Sequence, residues 1–178
     1  MDQLITTTYL EMLTPDALIP SRQEFPELRI EKVEMPCGDL NRFLYTAVGR
    51  EWSWTDRLVW SHADWQSYAE WPEIETWMAM VRGTPAGYFE LASRWSQGAF
   101  EPGNTNATVD VEIASFGLLP MFIGGGYGGV LLTEALYRAW QVNGAARVWV
   151  HTCTLDGPNA LANYKARGFT VYRAETDA

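Results

Sequence analysis

The sequence predicts an α+β fold, a mixed sheet flanked by helices within a single domain spanning residues 1–178. Three observations carry that prediction. "IETWMAMVRGTPAGYFELAS" reads as two strands joined at Gly83-Thr84-Pro85, a hairpin signal. "TVDVEIASFGLLP" alternates Val109, Val111 and Ile113, as a strand with one buried face does. From there to the C-terminus, helix and strand patterns alternate, which brings one or two βα crossovers.

The remaining elements follow in chain order. "RIEKVEMP" (Arg29 to Pro36) alternates apolar and charged residues imperfectly and predicts a strand. "CGDLNRFLYTAVG" places Leu40, Phe43, Leu44 and Val48 at helical spacing, with Asp39 as the expected N-cap. Glu51 to Trp60 is irregular and aromatic. "SHADWQSYAEW" predicts a short helix capped by Ser61, and "ASRWSQGAFEPGNTNA" a polar loop. After Gly129, the residues Leu131, Leu132, Ala135, Leu136 and Ala139 form one helical stripe, with Glu134 and Arg138 paired at i, i+4. "ARVWVHTCTL" is a strand, "NALANYKARG" a short helix that Gly168 stops, and "FTVYR" a last strand.

The net charge of −9 argues against a nucleic-acid partner, which needs a basic footprint. The two cysteines, Cys37 and Cys153, have no metal-ligand spacing and imply no framework of bridges. "MDQLITTTYLEML" lacks a basic flank and a long apolar run, so no signal peptide is expected. No apolar stretch of about 18 residues predicts a membrane span. A cytoplasmic location is therefore expected, and the "NAT" sequon at Asn106 carries no weight without a secretory signal. A homodimer is left open.

"FIGGGYGGVLLTEAL" (Phe122 to Leu136) puts five glycines within six residues, directly before the helical stripe. A flexible linker does not sit between an apolar strand and an amphipathic helix with so few residues on each side. A tight turn and a bound phosphate remain. Backbone N–H groups at a helix start point outward, the helix dipole favours negative charge, and glycines let the backbone approach a phosphate closely. A Walker A loop needs G-K-[ST], and Gly129 is followed by Val130. Gly124, Gly126 and Gly129 match G-x-G-x-x-G, but position 149 is Trp where a dinucleotide fold wants an acidic residue, and the preceding strands read as antiparallel.

"LLPMFIGGGYGGVLL" resembles motif A of the GNAT superfamily of acyl-CoA-dependent N-acetyltransferases, [Q/R]-x-x-G-x-[G/A]. Gly126 and Gly128 fill the glycine positions, and Ile123 stands where a Gln or Arg is usual. "ALANYKARGF" is similar to the superfamily's A-x-x-x-Y-x-x-x-G-F segment, with Ala160, Tyr164, Gly168 and Phe169 in register. An Asn is usual three residues before that Ala; here it is Gly157, beside Asp156. The resemblance covers about residues 74 to 172. It implies a GNAT-like acetyltransferase fold, with a mixed, mostly antiparallel sheet splayed at the cofactor site.

It also implies acetyl-CoA as cofactor and a small-molecule or peptide amine as acceptor. The cofactor segment is about 118–140 and the acceptor-side segment about 37–72. The resemblance assigns the cofactor anchor to the backbone of Ile123, Gly124, Gly126, Gly128 and Gly129, with Leu118 pairing its backbone with the pantetheine arm. Tyr164 matches the tyrosine near the cofactor sulfur, and a phenol with a pKa near 10 can protonate a leaving thiolate. "VEIASFGLL" is similar to the strand of the histone-acetyltransferase branch whose Glu is the general base, which implies that role for Glu112. His151 competes for it, since its ordinary pKa suits proton uptake near neutrality, and Glu90 is a third candidate. Six of nine tryptophans lie between Trp52 and Trp77. Trp65, Trp71 and Trp77 are expected in the core. Trp52 and Trp54, with Asp56 and Arg57, are candidates for the acceptor pocket, where rings attract a cation. Two other readings stand beside the enzyme: a non-catalytic acyl-CoA sensor on the same fold, and a nucleotide-binding domain.

Overall fold

The computed structural model describes residues 4–95 and 108–177. Its elements are β1 (Thr6–Met12), β2 (Leu28–Lys32), α1 (Gly38–Gly49), α2 (His62–Ala69), β3 (Ile74–Val81), β4 (Thr84–Trp95), β5 (Val109–Leu118), α3 (Tyr127–Gln141), β6 (Ala145–Cys153), α4 (Ala160–Ala166) and β7 (Thr170–Thr176). The strands form one sheet in the order β2-β3-β4-β5-β6-β1-β7. Every neighbouring pair is antiparallel except β5 and β6, which α3 connects as a crossover. The α+β fold with a mostly antiparallel sheet is thus as expected.

Alternation along β4 and β5 gives the sheet its two faces. Leu91, Val111 and Ile113 face α3, whose stripe of Leu131, Leu132, Ala135, Leu136 and Ala139 is fully buried against them. Glu134 accepts from Arg138 at 2.7 Å on the helix's outer side. Tyr88 and Glu90 face the other way, toward Leu44 and Val48 of α1. There α1 approaches the sheet so closely that a Cβ at Gly117 would lie 2.4 Å from Val48 Cγ1.

Several local expectations are corrected. β1 falls in the segment read only for a leader; its Leu10 and Met12 are buried, but its place between β6 and β7 is fixed by long-range pairing. β2 ends at Lys32, short of the predicted strand. Cys37, not Asp39, is the N-cap of α1; Asp39 sits in the first turn and pairs with His62 at 3.0 Å. Ser61 does cap α2, in a reciprocal box with Asp64. The hairpin turns one residue early, at Arg82 (φ 50°) and Gly83 (φ 82°). This double positive φ matches the right-handed twist of the strands, and Pro85 lies in β4 at a bulge, where a missing donor is tolerated. Trp65 is buried and Trp77 stacks on Phe89, but Trp71, just past the end of α2, is exposed rather than core. β4 takes the first four residues of the predicted 92–107 loop; the rest of it, including the sequon at Asn106, lies outside the described residues.

Candidate active site

β5 and β6 pair only from Val109 to Glu112 against Ala145 to Trp149. Beyond that point β5 stays with β4 and β6 stays with β1, so the two parallel strands part. The register of β4 against β5 slips where Ala114 is passed over, a bulge that helps turn the strand away. The result is a cleft of about 850 Å³ whose walls are the separated strands and α4. Along it the β6-facing backbone groups of β5 find no strand partner. Leu118 lines the cleft and pairs with Gly87 of β4 on its other side.

The glycine turn closes one end. Gly124 (φ 84°) and Gly126 (φ 88°) take left-handed conformations that favour glycine, and Gly126 is the N-cap of α3. No side chain caps that helix, so the first N–H groups of α3 are free to meet an anion. Ile123, Gly124, Gly126, Gly128 and Gly129 all line the cleft. A Cβ at Gly128 would only touch Asn163 and Leu118, whereas one at Gly126 would strike Gln23 at 2.5 Å. The Asn163 amide donates to Gly128 O at 3.2 Å and ties α4 to the turn.

The titratable groups stand at the fork of the strands. The Glu112 carboxylate is nearly buried, with His151 Nδ1 3.8 Å from one oxygen and Arg94 3.7 Å from the other. His151 is half-exposed, its ring leaning on Tyr9 and Trp149. Tyr164 lines the cleft from α4, its ring against Phe116 and Phe169. Burial pushes its phenol well above the ordinary value, and the Asp156 carboxylate adds to that push, so it holds its proton. Glu90 is elsewhere engaged. It is 1% exposed and accepts from Asn41 (2.7 Å), Tyr68 (2.9 Å), Ser115 (2.9 Å) and Arg57 (3.2 Å). Burial and these four donors keep it from an incoming amine.

The loop between α1 and α2 forms the far wall. Arg57 lies among the rings of Tyr45, Trp60 and Tyr68, its charge committed to Glu90. Trp54 packs on Gly49 and Tyr45, and its indole N–H donates to Asp156 at 3.4 Å. Trp52 packs against Gly157. Two loops from distant parts of the chain therefore meet over the cleft. Asp56 is exposed at its edge.

The structure thus brings the sequence-derived candidates, Glu90 excepted, to one cleft. Sequence reasoning missed the part played by Asp156, which accepts from Thr152 Oγ1 (2.7 Å), the Cys153 N–H (2.9 Å) and Trp54. Its signal was the Asp-Gly-Pro after β6, a turn in which an Asp side chain bonds nearby backbone. Tyr45 carried no signal beyond the buried stripe of α1.

A family model described as "Acetyltransferase (GNAT) family" matches residues 43–169. No curated protein matches the chain by sequence. Among solved structures, a GCN5-related N-acetyltransferase from Kribbella flavida is 18% identical, with a TM-score of 0.60, covering 93% of this chain and 54% of that one. Arabidopsis thaliana NAA60 in complex with a bisubstrate analogue is 16% identical, with a TM-score of 0.60 and coverages of 82% and 86%. An aminoglycoside acetyltransferase from an uncultured soil metagenomic sample, in complex with trehalose, is 15% identical, with a TM-score of 0.60 and coverages of 79% and 87%. At these identities the neighbours show a shared fold alone. The chain spans 60%, 54% and 50% of the length of three of them. The family match extends over more than two thirds of the sequence, and with it the chain belongs to the GNAT acetyltransferase family.

Proposed function

We propose that the protein transfers an acetyl group from acetyl-CoA to a primary amine of a small molecule or peptide. The observation that carries this reading is the fork between β5 and β6, which has an anion-binding turn at one end and proton-handling side chains within the same cleft. The residues fit such a donor. The turn is open at Gly128, only the exposed Gln23 side chain, itself a hydrogen-bond donor, lies over Gly126, and unpaired β5 backbone is available to an extended amide-bearing arm. Bound acetyl-CoA would supply the thioester carbonyl that the amine nitrogen attacks and the sulfur that leaves.

This chain's own residues then handle protons. Glu112 takes a proton from the incoming ammonium, and His151, half-exposed beside it, passes that proton to water. Tyr164 gives its phenolic proton at the departing sulfur and recovers one from the second proton that the acylated nitrogen sheds, so that the buried phenol ends neutral. The arch made by Trp54 on Asp156 and Trp52 on Gly157 limits water at the reacting end. Arg57 is neutralised by Glu90, so the charges presented to an acceptor are Asp56, Asp156 and Glu112, with the rings of Trp52, Trp54 and Tyr45 beside them. This favours a cationic amine with an apolar or aromatic body over a nucleotide sugar or an acidic amino acid.

The test is a thiol-release assay with acetyl-CoA across a panel of aryl-alkyl amines, aminoglycosides, peptide N-termini and acidic amino acids. Release confined to acidic or phosphorylated amines would overturn the acceptor class. Tight CoA binding with no release on any amine would favour an acyl-CoA sensor.

A further inference from the structure

The family motif ordinarily sets a polar or cationic side chain at the start of the glycine turn, and Ile123 offers only backbone there. A second cavity, of about 570 Å³, adjoins the same turn and shares Gly126, Gly129 and Asn163 with the main cleft. Its remaining wall is the segment 19–23 and Arg167, at the end of α4. That segment is fixed in place. The Ile19 N–H donates to Arg167 O (3.0 Å), and the Ser21 N–H donates to Thr133 Oγ1 (2.9 Å) within α3. Gln23 lies over Gly126, and Arg167 Nη1 stands 3.0 Å from where a Cβ of Gly129 would be.

The electrostatics of this corner are unbalanced. Among the described residues no carboxylate pairs with Arg22 or Arg167, in a chain of net charge −9. Arg167 Nε is buried without a hydrogen-bond partner. The guanidinium also faces the N-terminus of α3, the positive end of the helix dipole, which repels it. Arg22, Arg167 with its orphaned Nε, and the first turn of α3 all border this cavity, a set of donors that suits an anion with several acceptor oxygens.

We propose that Arg167, assisted by Arg22 and Gln23, is the side-chain clamp for the diphosphate of the acyl-CoA donor, supplied from α4 and the β1–β2 connection in place of residue 123. This rests on the acyl-CoA reading of the cleft. It goes beyond that reading in naming residues that no motif of the family would pick out in this sequence.

The experiment measures CoA and dephospho-CoA binding by calorimetry, together with melting temperatures with and without CoA, for the wild type, Arg167→Gln and Arg167→Lys. Arg167→Gln is expected to weaken both ligands by the same factor, about 10- to 100-fold, the loss of a charge-assisted hydrogen bond. Its unliganded melting temperature is expected to hold or rise, because an unpaired cation leaves a helix N-terminus. Arg167→Lys is expected to recover part of the affinity. Unchanged affinity in Arg167→Gln, while the wild type binds CoA, would overturn the clamp and leave the acyl-CoA reading intact. So would a loss confined to CoA, which would move the contact to the ribose phosphate. A fall in unliganded stability that accounts for the whole effect would make Arg167 structural. Failure of the wild type to bind CoA would instead defeat the reading on which the proposal rests.

Discussion

Replacing Glu90 by Ala perturbs the densest polar knot in the protein. The Glu90 carboxylate is 1% exposed and takes four donors, from Asn41, Tyr68, Ser115 and Arg57. The Arg57 side chain is 20% exposed and cannot turn to water without leaving the rings of Tyr45, Trp60 and Tyr68. Removing the carboxylate strands that cation. Breaking one side of a buried pair costs about 3–5 kcal/mol, and relaxation of the neutral donors onto water keeps their losses from adding in full. For a chain of this size that corresponds to a fall in Tm of roughly 6–20 °C. The double variant Arg57→Met/Glu90→Leu should lose less than Glu90→Ala alone, since no buried charge is left over. Urea unfolding followed by tryptophan fluorescence reads both, and Trp60 and Trp65 lie within the affected cluster. Milder loosening by Glu90→Gln should raise the acceptor KM with CoA affinity unchanged, because Arg57 belongs to the loop that carries Trp52 and Trp54. A Glu90→Ala cost below about 1 kcal/mol, or single and double variants that simply add, would refute the argument that the pair holds this loop.

Tyr164→Phe should lower kcat by roughly 10- to 1000-fold with little change in CoA affinity, the signature of a lost general acid in steady-state assays. Glu112→Gln should remove the acidic limb of the pH–rate profile, while His151→Ala should only shift it; the reverse pattern would make His151 the base. Trp54→Ala loses the packing on Gly49 and the bond to Asp156, and should raise the acceptor KM more than it lowers kcat. Stability should fall as pH rises above about 10, the ordinary tyrosine value. Burial raises the Tyr68, Tyr88 and Tyr164 phenols, with Glu90 adding to the first two and Asp156 to the third. The unfolded chain therefore ionises while the folded one keeps its protons. The stability these groups contribute is complete below pH 10 and declines above it, by up to about 1.4 kcal/mol per pH unit for each phenol. Unfolding free energies that stay flat between pH 9 and 11 would contradict the burial of these rings.

The parts of the fold that were legible are those whose pattern is local. The α3 stripe, the alternation of β5 and the Ser61 cap each announce themselves within one element. β1 did not, because two buried residues, Leu10 and Met12, are too few to set a period, and its slot is chosen by β6 and β7 from the far end of the chain. The hairpin was found but its turn misplaced. Pro85 reads as a turn residue, whereas Arg82 tolerates a positive φ that no pattern would assign to arginine.

The site divides along the same line. Glycines before a helix carry their pattern in one short stretch, so the turn and the start of α3 could be read from the sequence. The acceptor wall could be located but not understood. In the sequence Arg57 reads only as a member of an acceptor pocket whose rings attract a cation, and its partner Glu90 lies 33 positions away on another element. Once that pair closes, Arg57 no longer offsets Asp56, Asp156 and Glu112, which adds support to the cationic acceptor proposed above. Charge at a site is therefore a property of what remains unpaired after folding, which is why composition alone pointed only weakly toward the acceptor. The same reasoning runs in the opposite direction at Arg167 and Arg22, where folding leaves positive charge unmatched in an otherwise acidic protein. The carboxylates of Asp56, Asp156 and Glu112 thus stand in the main cleft and the guanidiniums of Arg22 and Arg167 at the neighbouring cavity beside the glycine turn, a separation of sign that suits the proposed pairing of a cationic amine with a polyanionic donor.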